Sequence, residues 1–175
     1  MVGIIIMLMP LWIIDHLPLF LFSFPEKVSL EQAISFLIYF GIIAFFPWQK
    51  ASNTGYENEN IPTITTGNAT FYASVRVIFL VIYEWFFRGL LLISFAGWLG
   101  VGPAIVINIL LYTLGHIHKN KAEIIGCIPL GLLLCAFTIW WQSIWPAIIF
   151  HLQIAIINEW PPLKQFISPQ KQAGL

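Results

Sequence analysis

Charge is what this sequence has least of. Eight Lys and Arg and eight Asp and Glu make up 9% of the 175 residues, and they cancel to a net charge of zero. A soluble domain carries about 25% charged residues. Here 59% of the chain is hydrophobic and 16% is aromatic. A water-soluble fold of this length has no way to hide so much apolar surface, so the bilayer is the expected solvent for most of it. The absent net charge excludes the basic surface a nucleic-acid partner needs, and equally a polybasic lipid tether. Cysteine is scarce too. Cys127 and Cys135 stand eight residues apart in one apolar segment, too far along a helix to bridge, so no disulfide framework is implied. The first apolar run has no basic residues ahead of it and no small-residue cleavage site behind it. It is expected to remain as a membrane segment rather than to be removed as a signal peptide.

Apolar runs divide the chain. The first spans roughly residues 2–24, interrupted by Pro10, Asp15, His16 and Pro18. The second covers about 29–47, where Ser29 and Gln32 have the spacing of a capping box. Residues 49–68 form the one sustained polar stretch and read as a loop. The third run, about 70–98, is long enough for a tilted span with an extra turn. Gly100 and the Gly102–Pro103 pair predict a tight reversal. A fourth run covers about 103–117, a fifth 123–142 and a sixth 144–160, with Pro161 and Pro162 expected to end it. The expected fold is therefore all-α, a polytopic membrane bundle of about six transmembrane helices. Residues 1–68 would hold N-terminal helices and a polar loop, 69–162 a core membrane domain, and 163–175 a short tail. With six spans, Lys50, Lys119, Lys121, Lys164 and Lys171 share a side with both termini, and only Lys27 lies opposite. That asymmetry predicts a multi-pass protein, in the cell membrane, with cytoplasmic termini.

Against this background the few polar residues within apolar runs stand out. "YEWFFRGLLL" sets Glu84 and Arg88 four residues apart, on one helix face. An ionised side chain at membrane depth costs several kcal/mol. A neutralising pair that holds a bundle together would explain the two together, but an apolar pair would fold at lower cost. His116 closes the fourth run, one turn after Tyr112, and His151 lies about 10 Å into the sixth. An interfacial histidine is the plainer reading of His116, and for His118, beside Lys119, it is favoured; a neutral core histidine is the plainer reading of His151, but its depth favours a functional role. Counted from Arg76, Lys119 and Trp160, the three candidates lie roughly 12, 5 and 13 Å deep, all in the cytoplasmic half. One carboxylate and two histidines from three helices are thus expected to meet in one wet pocket. Such a set either holds a metal with an open position or activates water by general-base chemistry.

These motifs resemble those of the CAAX prenyl protease and bacteriocin-processing family of intramembrane proteases. Its signature is Glu-Glu-x-x-x-Arg, Phe-x-x-x-His and His-x-x-x-Asn on separate membrane helices. The corresponding segments are Tyr83–Arg88, Tyr112–His116 and His151–Ala155, within a resemblance over about residues 72–160. It implies a helical membrane peptidase with a cytoplasm-facing site, acting on a peptide or protein substrate at or within the bilayer. Glu84 would be the second glutamate of the pair, with Arg88 orienting the carboxylate region. His116 would partner the water, and His151 would belong to the group stabilising the oxyanion. A divalent metal such as zinc stays open, with Glu84, His116 and His151 as its candidate ligands.

Two positions depart from the pattern. Tyr83 replaces the first glutamate, usually given the water-activating role, and Ala155 replaces the asparagine. A phenol with an ordinary pKa near 10 is a poor base at neutral pH, though it can orient a water or donate to an oxyanion. Adjacent helical residues point about 100° apart, so Tyr83 and Glu84 are not expected to face one pocket together. Glu84 would then serve as base, and Asn158, one further turn along the His151 face, would replace the missing amide. Two other functions remain: a degenerate relative that binds a peptide or partner without cutting it, and a small transporter in which Asp15, Glu84 and the histidines relay protons or hold a cation. The paired broken helices of inverted-repeat transporters are not seen, which weighs against the transporter.

Overall fold

The computed structural model describes residues 23–25, 27–53, 66–118 and 121–167. The first apolar run, with Asp15 and His16, lies outside the described residues, as do 54–65, the middle of the polar stretch. All regular structure among the described residues is helical.

Helix α1 (Leu30–Asn53) starts at the expected capping box. The Ser29 N–H donates to Gln32 Oε1 at 2.9 Å and the Gln32 N–H donates to Ser29 Oγ at 3.1 Å. Helix α2 (Thr66–Glu84), a π-helical segment (Trp85–Leu92) and α3 (Ile93–Leu99) follow one another without a gap. Together they make one 34-residue helix, roughly 50 Å long. On its exposed first turns, Thr70 Oγ1 and Ser74 Oγ donate to the carbonyls of Thr66 and Thr70, which hides both hydroxyls from an apolar surround.

Gly100 stops this helix, at φ 86° and ψ 164°, a region only glycine enters easily. Helix α4 (Val101–Leu114) begins at the next residue. The reversal therefore rests on Gly100 alone. Pro103 sits in the first turn of α4, where the amide it lacks has no intrahelical partner to lose. Helix α5 (Lys121–Trp141) carries Pro129 within it. A tight turn through Gln142, at φ 49°, leads to α6 (Trp145–Ile167). Pro161 and Pro162 do not end α6, which continues for five residues beyond them. Proline's fixed φ is itself helical, so the pair removes ladder hydrogen bonds without turning the chain.

Helix α6 is the hub, packing against α1, α2 and α5, while the π segment packs on α4 and α5. Phe36 of α1, Phe137 of α5 and Phe150 of α6 meet ring to ring, with Phe150 centroids 4.7 and 5.1 Å from the other two. Polar bonds tie α1 to the same hub. Gln32 Nε2 donates to the Trp140 carbonyl and Gln153 Nε2 to the Phe40 carbonyl.

The surface is apolar where a soluble protein's is not. Leu37, Phe45, Phe71, Trp98, Val106, Leu110, Ile125 and Ile156 are all exposed, whereas Glu84, Arg88, Asn108 and Thr138 are fully buried. Lipid, not water, matches such an exterior. Two helices, Thr66–Leu99 and Glu123–Trp141, are long and apolar enough to cross a membrane. Shorter apolar helices cover Leu30–Phe45, Val101–Leu114 and Trp145–Asn158. Those are the counterparts, among the described residues, of the runs expected to give six spans.

Gly100 gives a direct test of the reversal. Gly100→Ala is expected to lower stability by roughly 1–3 kcal/mol, from backbone strain alone. Gly102→Ala, on helical backbone with open space around its Cα, should leave it unchanged or raise it. Melting temperatures in detergent check both.

Candidate active site

The π segment begins at the residue after Glu84 and contains Arg88. Its wider turn is a local departure from the α ladder of the kind that collects at functional sites. Glu84 and Arg88 are both completely buried. Arg88 Nη1 donates to Glu84 Oε1 at 3.4 Å and lies 3.2 Å from Oε2, the latter without hydrogen-bond alignment. The guanidinium also lies over the Tyr112 ring, 4.4 Å from its centroid. A desolvated cation gains about 2 kcal/mol from such a face, which helps offset the loss of its water.

His151 comes in from α6 and completes the group. Its Nδ1 is 2.5 Å from Glu84 Oε1. A carboxylate accepts, so Nδ1 carries the proton in this bond, and in the neutral ring Nε2 holds the lone pair. Glu84 thus lies between a guanidinium on one side and an imidazole on the other. About a tenth of the His151 side chain is accessible, whereas Glu84 has no accessible surface.

Aromatic rings wall this ion group. Tyr83 stands with its centroid 5.7 Å from His151, 5.9 Å from Tyr112 and 6.2 Å from His116. Tyr112 lies 4.7 Å from His116 and 6.3 Å from His151. His116 is half-buried, and its Nδ1 donates to the Tyr112 carbonyl at 2.9 Å. Glu84 and His151 are thus in direct contact, and His116 joins them through two tyrosine rings. Tyr83 and Glu84 both reach His151, which corrects the expectation that neighbouring residues could not serve one site. Although their side chains diverge, His151 fits between them, taking the carboxylate at a ring nitrogen and Tyr83 in a T-shaped ring contact. Asn158 is exposed and is not among these buried groups, while Ala155 is half-buried.

The three proposed metal ligands do not fit a catalytic zinc, which takes three protein donors around an open position. Glu84 Oε1 accepts from both His151 and Arg88, and Oε2 lies 3.2 Å from Arg88, so the carboxylate is held by these two side chains. Among the described residues no three His, Cys, Asp or Glu side chains gather closely enough to hold an ion.

Two contributors escaped the reading of the sequence. Asn108 of α4 is fully buried, and its Nδ2 donates to the Phe87 carbonyl inside the π segment at 2.6 Å. The buried Cys135 thiol of α5 donates in turn to Asn108 Oδ1 at 3.3 Å. A side-chain chain from α5 through α4 therefore fixes the segment that carries Arg88. Asn108 was findable: it is a polar residue in an apolar run, one turn ahead of Tyr112, as Tyr112 is one turn ahead of His116. Gly115 is the second. A Cβ there would lie 3.3 Å from the Tyr83 hydroxyl and 3.3 Å from the Tyr112 carbonyl, so its bareness makes room for the phenol.

Comparison with known proteins agrees with the motifs. The family model described as type II CAAX prenyl endopeptidase, Rce1-like, matches residues 66–157, more than half of the chain. No curated protein and no solved structure matches.

Two stability tests follow from the buried network. Arg88→Ala should lower stability by roughly 3–5 kcal/mol, because it strands the Glu84 charge, while replacing exposed Lys27 by Ala should be nearly silent. Equal melting shifts would show that Arg88 does not hold Glu84. Cys135→Ala should cost about 1 kcal/mol for its one lost hydrogen bond, and Asn108→Leu about twice that, because it also loses the bond to the Phe87 carbonyl. Their double variant should cost less than the sum, since both remove the same bond.

Proposed function

This chain belongs to the Rce1-like family of type II CAAX prenyl endopeptidases, and from that premise we propose that it is an intramembrane endopeptidase. It would cut a peptide or protein substrate presented at the bilayer, with a prenylated cysteine peptide as the first class to test. The observation that carries this reading is the Glu84–His151 hydrogen bond, buried and backed by Arg88.

The chemistry follows from which groups can reach a water. Glu84 is held by Arg88 on one side and His151 on the other, so it orients and does not itself touch the reacting atoms. His151 keeps accessible surface, and Glu84 fixes its proton on Nδ1. The lone pair on Nε2 then takes a proton from water as the oxygen bonds to the peptide carbonyl carbon. Collapse of the tetrahedral intermediate breaks the C–N bond, and the imidazolium returns its proton to the leaving nitrogen. Glu84 stabilises that imidazolium, and Arg88 holds the carboxylate in place from its other side. The resemblance gives the base to the position of Tyr83, with Glu84 as its expected substitute; in this proposal it moves to His151. His116 keeps the part of a partner to the water, from the half-buried edge of the ring cluster. No step passes through a metal.

A multi-pass arrangement with cytoplasmic termini is part of the same proposal, and it rests on the lysine asymmetry. A second reading, peptide binding without cleavage, is favoured by one observation: Tyr83 fills the position of the family's first glutamate and packs against both histidines.

Cleavage assays on prenylated and unmodified peptides in proteoliposomes separate the two. If the endopeptidase reading is right, Glu84→Gln and His151→Gln each lower turnover by roughly 10²–10⁴-fold, the contribution of an oriented base. In that case the paired repair Tyr83→Glu with Ala155→Asn brings no gain in turnover. A wild type that cuts nothing, together with a repaired protein that does, would establish the binding reading.

A further inference from the structure

Among the described residues, the Tyr83 hydroxyl is a buried polar group without a hydrogen-bond partner. Tyr83 is 7% exposed, and its ring touches both histidines and Tyr112. Leaving a hydroxyl unsatisfied in such a place costs roughly 1–3 kcal/mol. Phenylalanine would fill the same space without that cost. The hydroxyl lies beside the bare Cα of Gly115, on the chain just ahead of His116. A neutral phenol at this position is a donor, beside a base that needs its substrate's carbonyl polarised.

We propose that the Tyr83 hydroxyl is a catalytic residue of this chain, donating a hydrogen bond to the scissile carbonyl oxygen and holding it as it becomes the tetrahedral oxyanion. The proposal rests on the peptidase reading above for its substrate. It assigns to Tyr83 a donor's part, where a glutamate in its place would be an acceptor. No bond to Tyr83 forms or breaks: the phenol keeps its proton, and the oxyanion charge returns to the carbonyl when the C–N bond breaks. Gly115 is the positioning residue. An added methyl at 3.3 Å from the hydroxyl would push the phenol from its place.

Turnover and ligand binding test this together. Tyr83→Phe keeps the ring and removes only the donor. It should lower kcat by roughly 10²–10³-fold, as loss of one oxyanion donor does, with KM little changed and the melting temperature equal or higher. A merely structural tyrosine would move melting and leave kcat. The second arm needs no turnover. A prenylated peptide with a ketone in place of the scissile amide is compared with its methylene analogue, which lacks the oxygen, by calorimetric titration in detergent. Wild type should prefer the ketone by roughly three- to tenfold, the effect of one net hydrogen bond. Tyr83→Phe should bind the two alike, and Gly115→Ala should lose part of the preference. A Tyr83→Phe protein that keeps the ketone preference overturns the proposal, and so does a wild type that shows none. Glu84→Gln separates this result from the parent reading. If that variant cleaves as fast as wild type, the roles given to Glu84 and His151 fall, while the ketone preference still judges Tyr83.

Discussion

A buried carboxylate is the constraint on which the rest of this structure depends. Glu84 has no accessible surface, and a charge so placed is stable only with partners. Arg88 supplies the countercharge from the same face of the long helix, and His151 supplies a hydrogen bond from α6. Meeting those two demands fixes much else. The long helix must continue past Glu84 to carry Arg88, and α6 must approach α2 closely enough for an imidazole to touch a carboxylate. Arg88 needs a surface that tolerates a desolvated cation, which the Tyr112 ring provides. The Asn108–Cys135 link then braces the π segment through α4 and α5.

Tyr83 is best understood against the same charge balance. A glutamate at that position would add a second carboxylate to a buried group that has one guanidinium. Like charges sharing a site disfavour each other's ionised forms. With tyrosine, one carboxylate faces one guanidinium and no second carboxylate is added beside them. The substitution that departs from the family signature thus lowers the electrostatic demand on the site. It exchanges a second carboxylate for a neutral hydroxyl, and leaves Glu84 as the carboxylate in contact with His151.

The outer shell follows a different rule from the site. Its exposed side chains are large and apolar, and its few hydroxyls bond back to their own helix. Polar contacts between helices are used sparingly and at definite places, as where Gln32 and Gln153 hold α1 to the α5–α6 hub. In an apolar solvent burial alone gives little reason for helices to associate, so ring packing and interhelical hydrogen bonds carry that work.

Composition alone determined that this is a helical protein suited to lipid, because so apolar a chain has no soluble solution. Local spacing determined the capping box at Ser29 and Gln32, the shared face of Glu84 and Arg88, and the family, since these depend on residues within one or two turns. The ends of helices were less legible. Pro161 and Pro162 read as a stop and are not one, because proline weakens a helix without forbidding its φ. What only the tertiary structure decided is how separate helices meet. The sequence placed Glu84, His116 and His151 at similar depth, but depth says nothing of rotation about each helix axis. Packing turned His151 onto Glu84, set two tyrosine rings between them and His116, left Asn158 exposed, and brought Asn108 to a carbonyl 21 residues away. Those contacts join residues distant in the chain, and a one-dimensional pattern has no term for the angle at which one helix faces another.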